Sequence, residues 1–187
     1  MDVIPFTSFK GWLPAAEADA LLASLEARSD WTQGRIRMFG REVPEPRLTI
    51  FEGDLGVRYT YAHRPLVGRG WSPELEALRD RFEREFGIRS NTVLANLYRD
   101  GRDSMGWHRD REPELGPDPQ VVSLSLGASR DFDVRHDLDR RTHRFSLGHG
   151  DLLVMGTNSQ TKWTHCVPKR LKITNLRINL TFRQVFC

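Results

Sequence analysis

The spacing of hydrophobic positions changes character about halfway along this 187-residue chain. In the first half, two stretches carry apolar residues three and four apart, the repeat of a single helical face. One runs from Pro14 to Arg28 and groups Leu21, Leu22 and Leu25, with Pro14 suited to the first turn. The other runs from Ser72 to Phe86. It aligns Leu75, Leu78, Phe82 and Phe86, with Ser72 available as a cap and Gly87 able to end the helix. Between them, residues 30–69 hold scattered Gly and Pro and two short β-type runs, Arg35 to Phe39 and Val57 to Tyr61. From Asn91 onward the pattern predicts strand after strand: Thr92–Tyr98, Val121–Leu126, Phe132–Arg135, His143–Leu147, Asp151–Met155, Trp163–Val167 and Leu176–Phe182. Short strands separated by turn residues predict a mainly β protein, a sandwich or barrel, behind a helix-flanked N-terminal third.

Composition narrows the class. Hydrophobic residues make up 39% and charged residues 28% of the chain, an ordinary globular balance for one domain. No apolar run approaches the roughly 18 residues of a membrane-spanning helix. The N-terminus lacks the basic and apolar segments of a signal peptide. Two cysteines, Cys166 and Cys187, cannot build a disulfide framework, and a reducing, cytoplasmic setting is expected. Net charge is only +3, yet the 28 cations include just four lysines (Lys10, Lys162, Lys169, Lys172). An Arg-favouring codon composition accounts for this bias. So does phosphate recognition, which exploits the planar guanidinium fork, and the two are compatible.

Candidate chemistry begins at His108-Arg109-Asp110. On a strand, residues two apart share a face, so His108 and Asp110 would converge on one point as a metal-binding pair. Of the other histidines, His136 and His143 flank the charged stretch 133–144, which reads as a solvated hairpin tip, and His149 sits in a Gly-flanked turn. His165, in the alternating strand Trp163–Val167, is the best third ligand, on a strand that could pair with the first across a barrel. Cys166, adjacent to it, should face the core. Two imidazoles and one carboxylate leave coordination positions open, which suits Fe(II) oxygenase chemistry. Zinc remains the competing metal.

The C-terminal strand adds to this. Arg177, Asn179, Thr181 and Arg183 share one face, and Leu176, Ile178, Leu180 and Phe182 the other. Leu94, Asn96 and Tyr98 repeat the pattern on an earlier strand. A wet edge strand would look the same. Alternatively, the two strands together line a pocket for a small dicarboxylate, since bidentate Arg–carboxylate contacts are the strong kind.

Tyr98, His108-Arg109-Asp110, His165 and the run Arg177-Ile178-Asn179-Leu180-Thr181-Phe182-Arg183 resemble the AlkB family of Fe(II)/2-oxoglutarate dioxygenases. Residues 125–132 also resemble it, closer to the animal DNA-repair homologues than to the founding bacterial enzyme. The likeness spans roughly residues 36–186 and implies one domain over 1–187. In it, a nucleotide-recognition hairpin region (30–70) precedes a double-stranded β-helix, or jelly-roll, core (91–187). It implies O2-dependent removal of methyl groups from N1-methyladenine and N3-methylcytosine in DNA or RNA, with release of formaldehyde.

By the same resemblance, His108, Asp110 and His165 hold Fe(II). Arg177 binds the distal carboxylate of 2-oxoglutarate beside Tyr98, and Asn96, Asn179, Thr181 and Arg183 complete that site, Arg183 nearer the metal. Glu112 contacts the exocyclic amine of the damaged base, Tyr61 stacks on it, and Tyr59 lies near. Phe39, within 37–41, resembles the wedge that fills the gap left by a flipped base, although it could equally pack beneath its hairpin. The chain departs from that pattern at 42–47 and at Arg111, where an acid is usual. Residues 161–183 hold six cations and no acid; two are assigned to 2-oxoglutarate, leaving Lys162, Lys169, Arg170 and Lys172 for a phosphate backbone. A monomer is expected. The same iron chemistry on RNA, protein or a small molecule, and an inactive nucleic-acid-binding jelly roll, are the competing readings.

Overall fold

A computed structural model describes residues 4–38, 40–61 and 64–186. Strand β1 (Phe6–Phe9) precedes helix α1 (Ala15–Glu26). Two hairpins follow, β2 (Arg35–Met38) with β3 (Arg41–Pro44) and, after β4 (Leu48–Gly53), β5 (Arg58–Tyr61) with β6 (Arg64–Val67). Helix α2 (Pro73–Phe86) leads into β7 (Thr92–Tyr98) and β8 (Met105–His108). The body then runs through β9 (Val121–Gly127), β10 (Arg130–His136), β11 (Thr142–Leu147) and β12 (Leu152–Met155). A short α3 (Ser159–Lys162), β13 (Trp163–Val167) and β14 (Arg177–Arg183) complete it.

Ten strands form two facing antiparallel sheets, the double-stranded β-helix. The large sheet has the order β1-β12-β9-β14-β7-β4 and the small one β11-β10-β13-β8. β14 is therefore central, not an edge strand, and all seven of its residues are buried. Alternation then sorts its side chains. Ile178, Leu180 and Phe182 join Val93, Ala95 and Leu97 of β7 and Val122, Leu124 and Leu126 of β9 on the outer face. There they pack against Ala18, Leu21 and Leu25 of α1 and Leu75, Leu78 and Phe82 of α2. The polar set of the same strands is left facing inward, toward the small sheet.

Both helices form where expected, and Gly87 ends α2 at φ 66°. Ser72 does not cap α2 with its side chain; its N–H and hydroxyl both donate to Glu52 Oε2, at 2.7 and 3.0 Å. β7 and β13 coincide with the expected runs. The large sheet also takes β1 and β4 from before residue 91, short segments the hydrophobic pattern does not single out. His136 corrects the reading of a solvated hairpin tip: it is 7% exposed and packs on Trp163, ring centroids 4.8 Å apart. The turn after it, with Asp139, Arg140 and Arg141, and Arg144 on β11 carry the exposed charges. Cys166 is a buried free thiol, as expected of a core position.

Candidate active site

β13 pairs directly with β8, and His165 lies opposite His108 in the register. Asp110 is not on the strand. β8 ends at His108, and Asp110 reaches the same point from the following loop. Gln160 holds it there by accepting the Asp110 N–H at 2.9 Å, and Arg183 donates to its Oδ2 from Nε (3.0 Å) and Nη2 (2.9 Å). Arg109, between the two, is turned away to a bidentate pair with Asp137. One donor atom each of His108, Asp110 and His165 falls within 4.8 Å of the others, a separation at which one cation can bridge them.

The donor set fits such an ion. His108 Nδ1 lies 2.8 Å from the Gly106 carbonyl, so it carries the proton and leaves Nε2 as the free lone pair. Asp110 Oδ2 is held by Arg183 while Oδ1 is buried without a partner. Burial lowers the His165 imidazole to about 3, with the neighbouring His108 adding to the effect, and burial lowers His108 too. Burial alone would raise the Asp110 carboxyl, but Arg183 and the two imidazoles hold it at about 2. Two neutral imidazoles and an ionised carboxylate are the protonation states a divalent metal requires. Phe132 stacks on His165, centroids 5.2 Å apart, and fixes its ring plane.

Register explains the second group. Arg177 lies opposite Tyr98, and Asn179 opposite Asn96, across the β14–β7 pair. Arg177 is 1% exposed and donates from Nη2 to Ser125 Oγ at 2.9 Å, while its Nε and Nη1 have no partner. Its guanidinium sits 5.4 Å from the Tyr98 ring centroid, and burial lowers it to about 10. A buried cation with two unpartnered nitrogens is costly unless an anion completes it. Asn179, by contrast, is satisfied within the sheet: it donates to Ser123 Oγ and the Leu124 carbonyl and accepts from Thr181.

Tyr61, Asn96, Tyr98, His108, Asp110, His165, Asn179, Thr181 and Arg183 line one narrow cavity, so the structure brings most of the expected residues together. Arg177 is not among this lining, but its guanidinium lies over the ring of Tyr98, which is. Tyr59 is 1% exposed, its ring 6.0 Å from that of Tyr61, and its hydroxyl is buried without a partner. Glu112 is half-buried with an unpartnered Oε2, and burial together with the Asp110 charge raises its pKa. Phe39 lies outside the described residues. Of the four cations expected to meet a phosphate backbone, Arg170 is instead paired with Asp131 at 2.5 Å; Lys162, Lys169 and Lys172 are exposed. Sequence reasoning misses Gln160, and also Glu45 and Arg47, which are 1% and 3% exposed beside Tyr61 and Asn96. Charged side chains carry no sign of burial in their own letters; Arg47's place just before β4 was the one available cue.

A double-stranded β-helix presenting two imidazoles and a carboxylate beside a buried, incomplete guanidinium defines a mononuclear metal oxygenase scaffold. A profile described as the 2OG-Fe(II) oxygenase superfamily matches residues 5–183. The chain is 39% identical over 181 residues to the DNA oxidative demethylase ALKBH2 of Homo sapiens, covering 91% of this chain and 69% of that protein. Identity to the ALKBH2 of Bos taurus is also 39%, over 91% of this chain and 65% of that one. The alpha-ketoglutarate-dependent dioxygenase alkB homolog 3 of Rattus norvegicus is 38% identical over 191 residues, covering 95% of this chain and 63% of the relative. The chain thus spans between 63% and 69% of the length of these curated relatives. A solved structure titled "The structure of OsALKBH1" has the same fold, with a TM-score of 0.65 at 17% identity over 98% of both chains. The chain belongs to the AlkB family of 2OG-Fe(II) oxygenases.

Proposed function

We propose that this chain is an Fe(II)/2-oxoglutarate-dependent dioxygenase that removes methyl groups from N1-methyladenine and N3-methylcytosine in DNA, and by the same chemistry in RNA. The observation that carries the reading is the juxtaposition of the His108–Asp110–His165 donors with Arg177, a buried guanidinium lacking an anion. Bound iron, with 2-oxoglutarate and O2, supplies the oxidant that hydroxylates an N-methyl carbon, whose hemiaminal then breaks down to formaldehyde and the unmodified base.

The chain's own residues do the rest. His108, Asp110 and His165 hold the metal on one side. Arg177 receives the distal carboxylate, and its unspent N–H groups suit a bidentate contact. Tyr98 forms the wall against which that guanidinium is held, and Asn96, Thr181 and Asn179 provide the polar lining. Arg183 acts through Asp110, keeping it ionised and oriented. Glu112 faces the cationic base with an acceptor, Tyr61 lies against its ring, and Tyr59 backs Tyr61. Residues 30–70 form the nucleotide-recognition region, with Phe39 as the wedge, and 91–187 the catalytic core. The enzyme acts as a monomer in the cytoplasm, where a free thiol such as Cys166 persists.

The test is formaldehyde and succinate release from single- and double-stranded oligonucleotides carrying either lesion. Formaldehyde equal to the methyl groups lost is expected. Succinate without methyl loss from any nucleic acid would move the activity to another substrate. No succinate at all would leave only a binding protein.

A further inference from the structure

Arg47 stands between two groups that line the cavity. Its Nε donates to Asn96 Oδ1 at 2.9 Å and its Nη2 to the Tyr61 hydroxyl at 3.1 Å. A guanidinium can only donate, so both partners must accept from it. For Asn96 this decides which way the amide faces. Oδ1 is spent on Arg47, and Nδ2 makes only a 3.4 Å contact to the Leu94 carbonyl. An N–H is therefore left over for an acceptor in the cavity. The Tyr61 oxygen likewise accepts from Arg47 and keeps its own proton to donate. Burial, opposed by the Arg47 charge, raises Tyr61 to about 12, so that proton is retained at neutral pH.

Arg47 is itself braced. Glu45 Oε1 lies 3.3 Å from Arg47 Nη2, and Glu45 Oε2 lies 3.3 Å from Nη2 of Arg64 on β6. Glu45 also donates its N–H to the Gly34 carbonyl at 2.8 Å and accepts at its own carbonyl from Gln33 Nε2 at 2.8 Å. A Cβ at Gly34 would meet the Glu45 carboxylate and the Arg64 guanidinium, so a side chain there would have to displace this pair. The base of the β2–β3 hairpin, β6 and the large sheet thus meet at one ion triad, in which Glu45 and Arg47 are buried and Arg64 is partly exposed.

We propose that Arg47 is a positioning residue that turns Asn96 and Tyr61 into hydrogen-bond donors toward the cavity, and that Glu45 and Arg64 hold it in place for this. The ligand such donors fit presents only acceptors, as the carboxylate and keto oxygens of 2-oxoglutarate do. The inference rests on the proposed reading of Asn96 as a contact to that co-substrate.

The test is a double-mutant cycle on 2-oxoglutarate affinity, measured by titration calorimetry on the full chain loaded with Mn(II) so that no turnover intervenes. Asn96→Ala and Arg47→Met should each weaken binding roughly tenfold, and the double variant should be no weaker than either alone, because partners in one network do not add. Arg47→Lys, which keeps the charge but cannot reach both partners, should fall between wild type and Arg47→Met, and it serves in the cycle if Arg47→Met does not fold. Independent, additive losses, or undiminished affinity in both Arg47 variants, would overturn the positioning role while leaving Asn96 as a contact. Unchanged affinity in Asn96→Ala would remove Asn96 from the co-substrate site, and the inference with it.

Discussion

The two ends of β14 carry the same residue on the same face and put it to opposite uses. Arg183 is closed: its guanidinium is bound to Asp110, and although burial opposes its charge, the carboxylate raises its pKa. Arg177 is open: one N–H reaches Ser125, two atoms have no partner, and burial lowers its pKa. An arginine whose anion is built into the chain serves the architecture of the metal site. One whose anion is absent from the chain is prepared for an anion from outside. Strand alternation sets the face that each occupies, and only the neighbouring loops decide which is completed internally.

Removing the metal donors is the harshest disturbance of this arrangement. His108→Ala, Asp110→Ala and His165→Ala should each reduce turnover to background, and Asp110→Ala should also destabilise the metal-free fold because Arg183 loses its counter-ion. Wild-type turnover by any of the three would exclude that residue from the metal site.

Separating the two arginines sharpens the comparison. In the metal-free protein, Arg183→Met should cost on the order of 3–5 kcal/mol, the penalty for leaving a buried charge unpaired. It should also weaken metal binding by roughly 10–100-fold through Asp110. Arg177→Met should leave thermal stability unchanged or higher, while raising the 2-oxoglutarate KM roughly 10–150-fold, equivalent to about 1.5–3 kcal/mol for a charged hydrogen bond. Equal losses of melting temperature in the two variants would erase the distinction.

Glu112 is a subtler case of an incomplete group. Burial and the Asp110 charge raise its carboxyl, and a cationic methylated base would offset both and offer a donor to the unpartnered Oε2. Glu112→Ala should lower repair of these lesions more than it lowers uncoupled 2-oxoglutarate consumption, and parallel losses in both assays would mark a structural role.

The last test is pH dependence. The unfolded His165 imidazole takes up a proton below its ordinary 6.5, whereas the folded one resists until about 3. Metal-free stability should therefore fall as pH drops through that window, since the unfolded chain binds more protons there. The Asp110 carboxyl, held at about 2 against an ordinary 3.8, contributes only toward the acid end. His165→Gln should flatten the slope between pH 6.5 and 4 in urea titrations; an unaltered slope would assign it to other groups.

Much of this was legible in the letters, and the reason is periodicity. Strand alternation alone put Arg177, Asn179, Thr181 and Arg183 on one face, and the α2 stripe ends at Gly87 as its spacing requires. What escaped has no period. β4 and β1 are short and take their meaning from the strands beside them. Asp110 converges with His108 through a loop held by Gln160, fifty positions away, and not through the pleat of a strand. Glu45 and Arg47 look like surface residues until tertiary packing encloses them together. Arg170 looked available for phosphate until Asp131 proved to be its partner.

The place of β14 in the large sheet also sets a timetable. Among the described residues it is the last strand in sequence order, yet it lies between β7 and β9 and pairs with both along all seven residues. While the chain is being made, the facing edges of β7 and β9 emerge with nothing between them. Nor can Asp110 be neutralised until residue 183 has emerged. Closure of the barrel is thus a late, long-range event, of the kind that slows folding and leaves strand edges exposed to wrong partners in the meantime. A nascent chain stalled before residue 177 should expose its sheet edges to chaperones and bind no metal tightly, and emergence of residues 177–183 should convert it to the compact form.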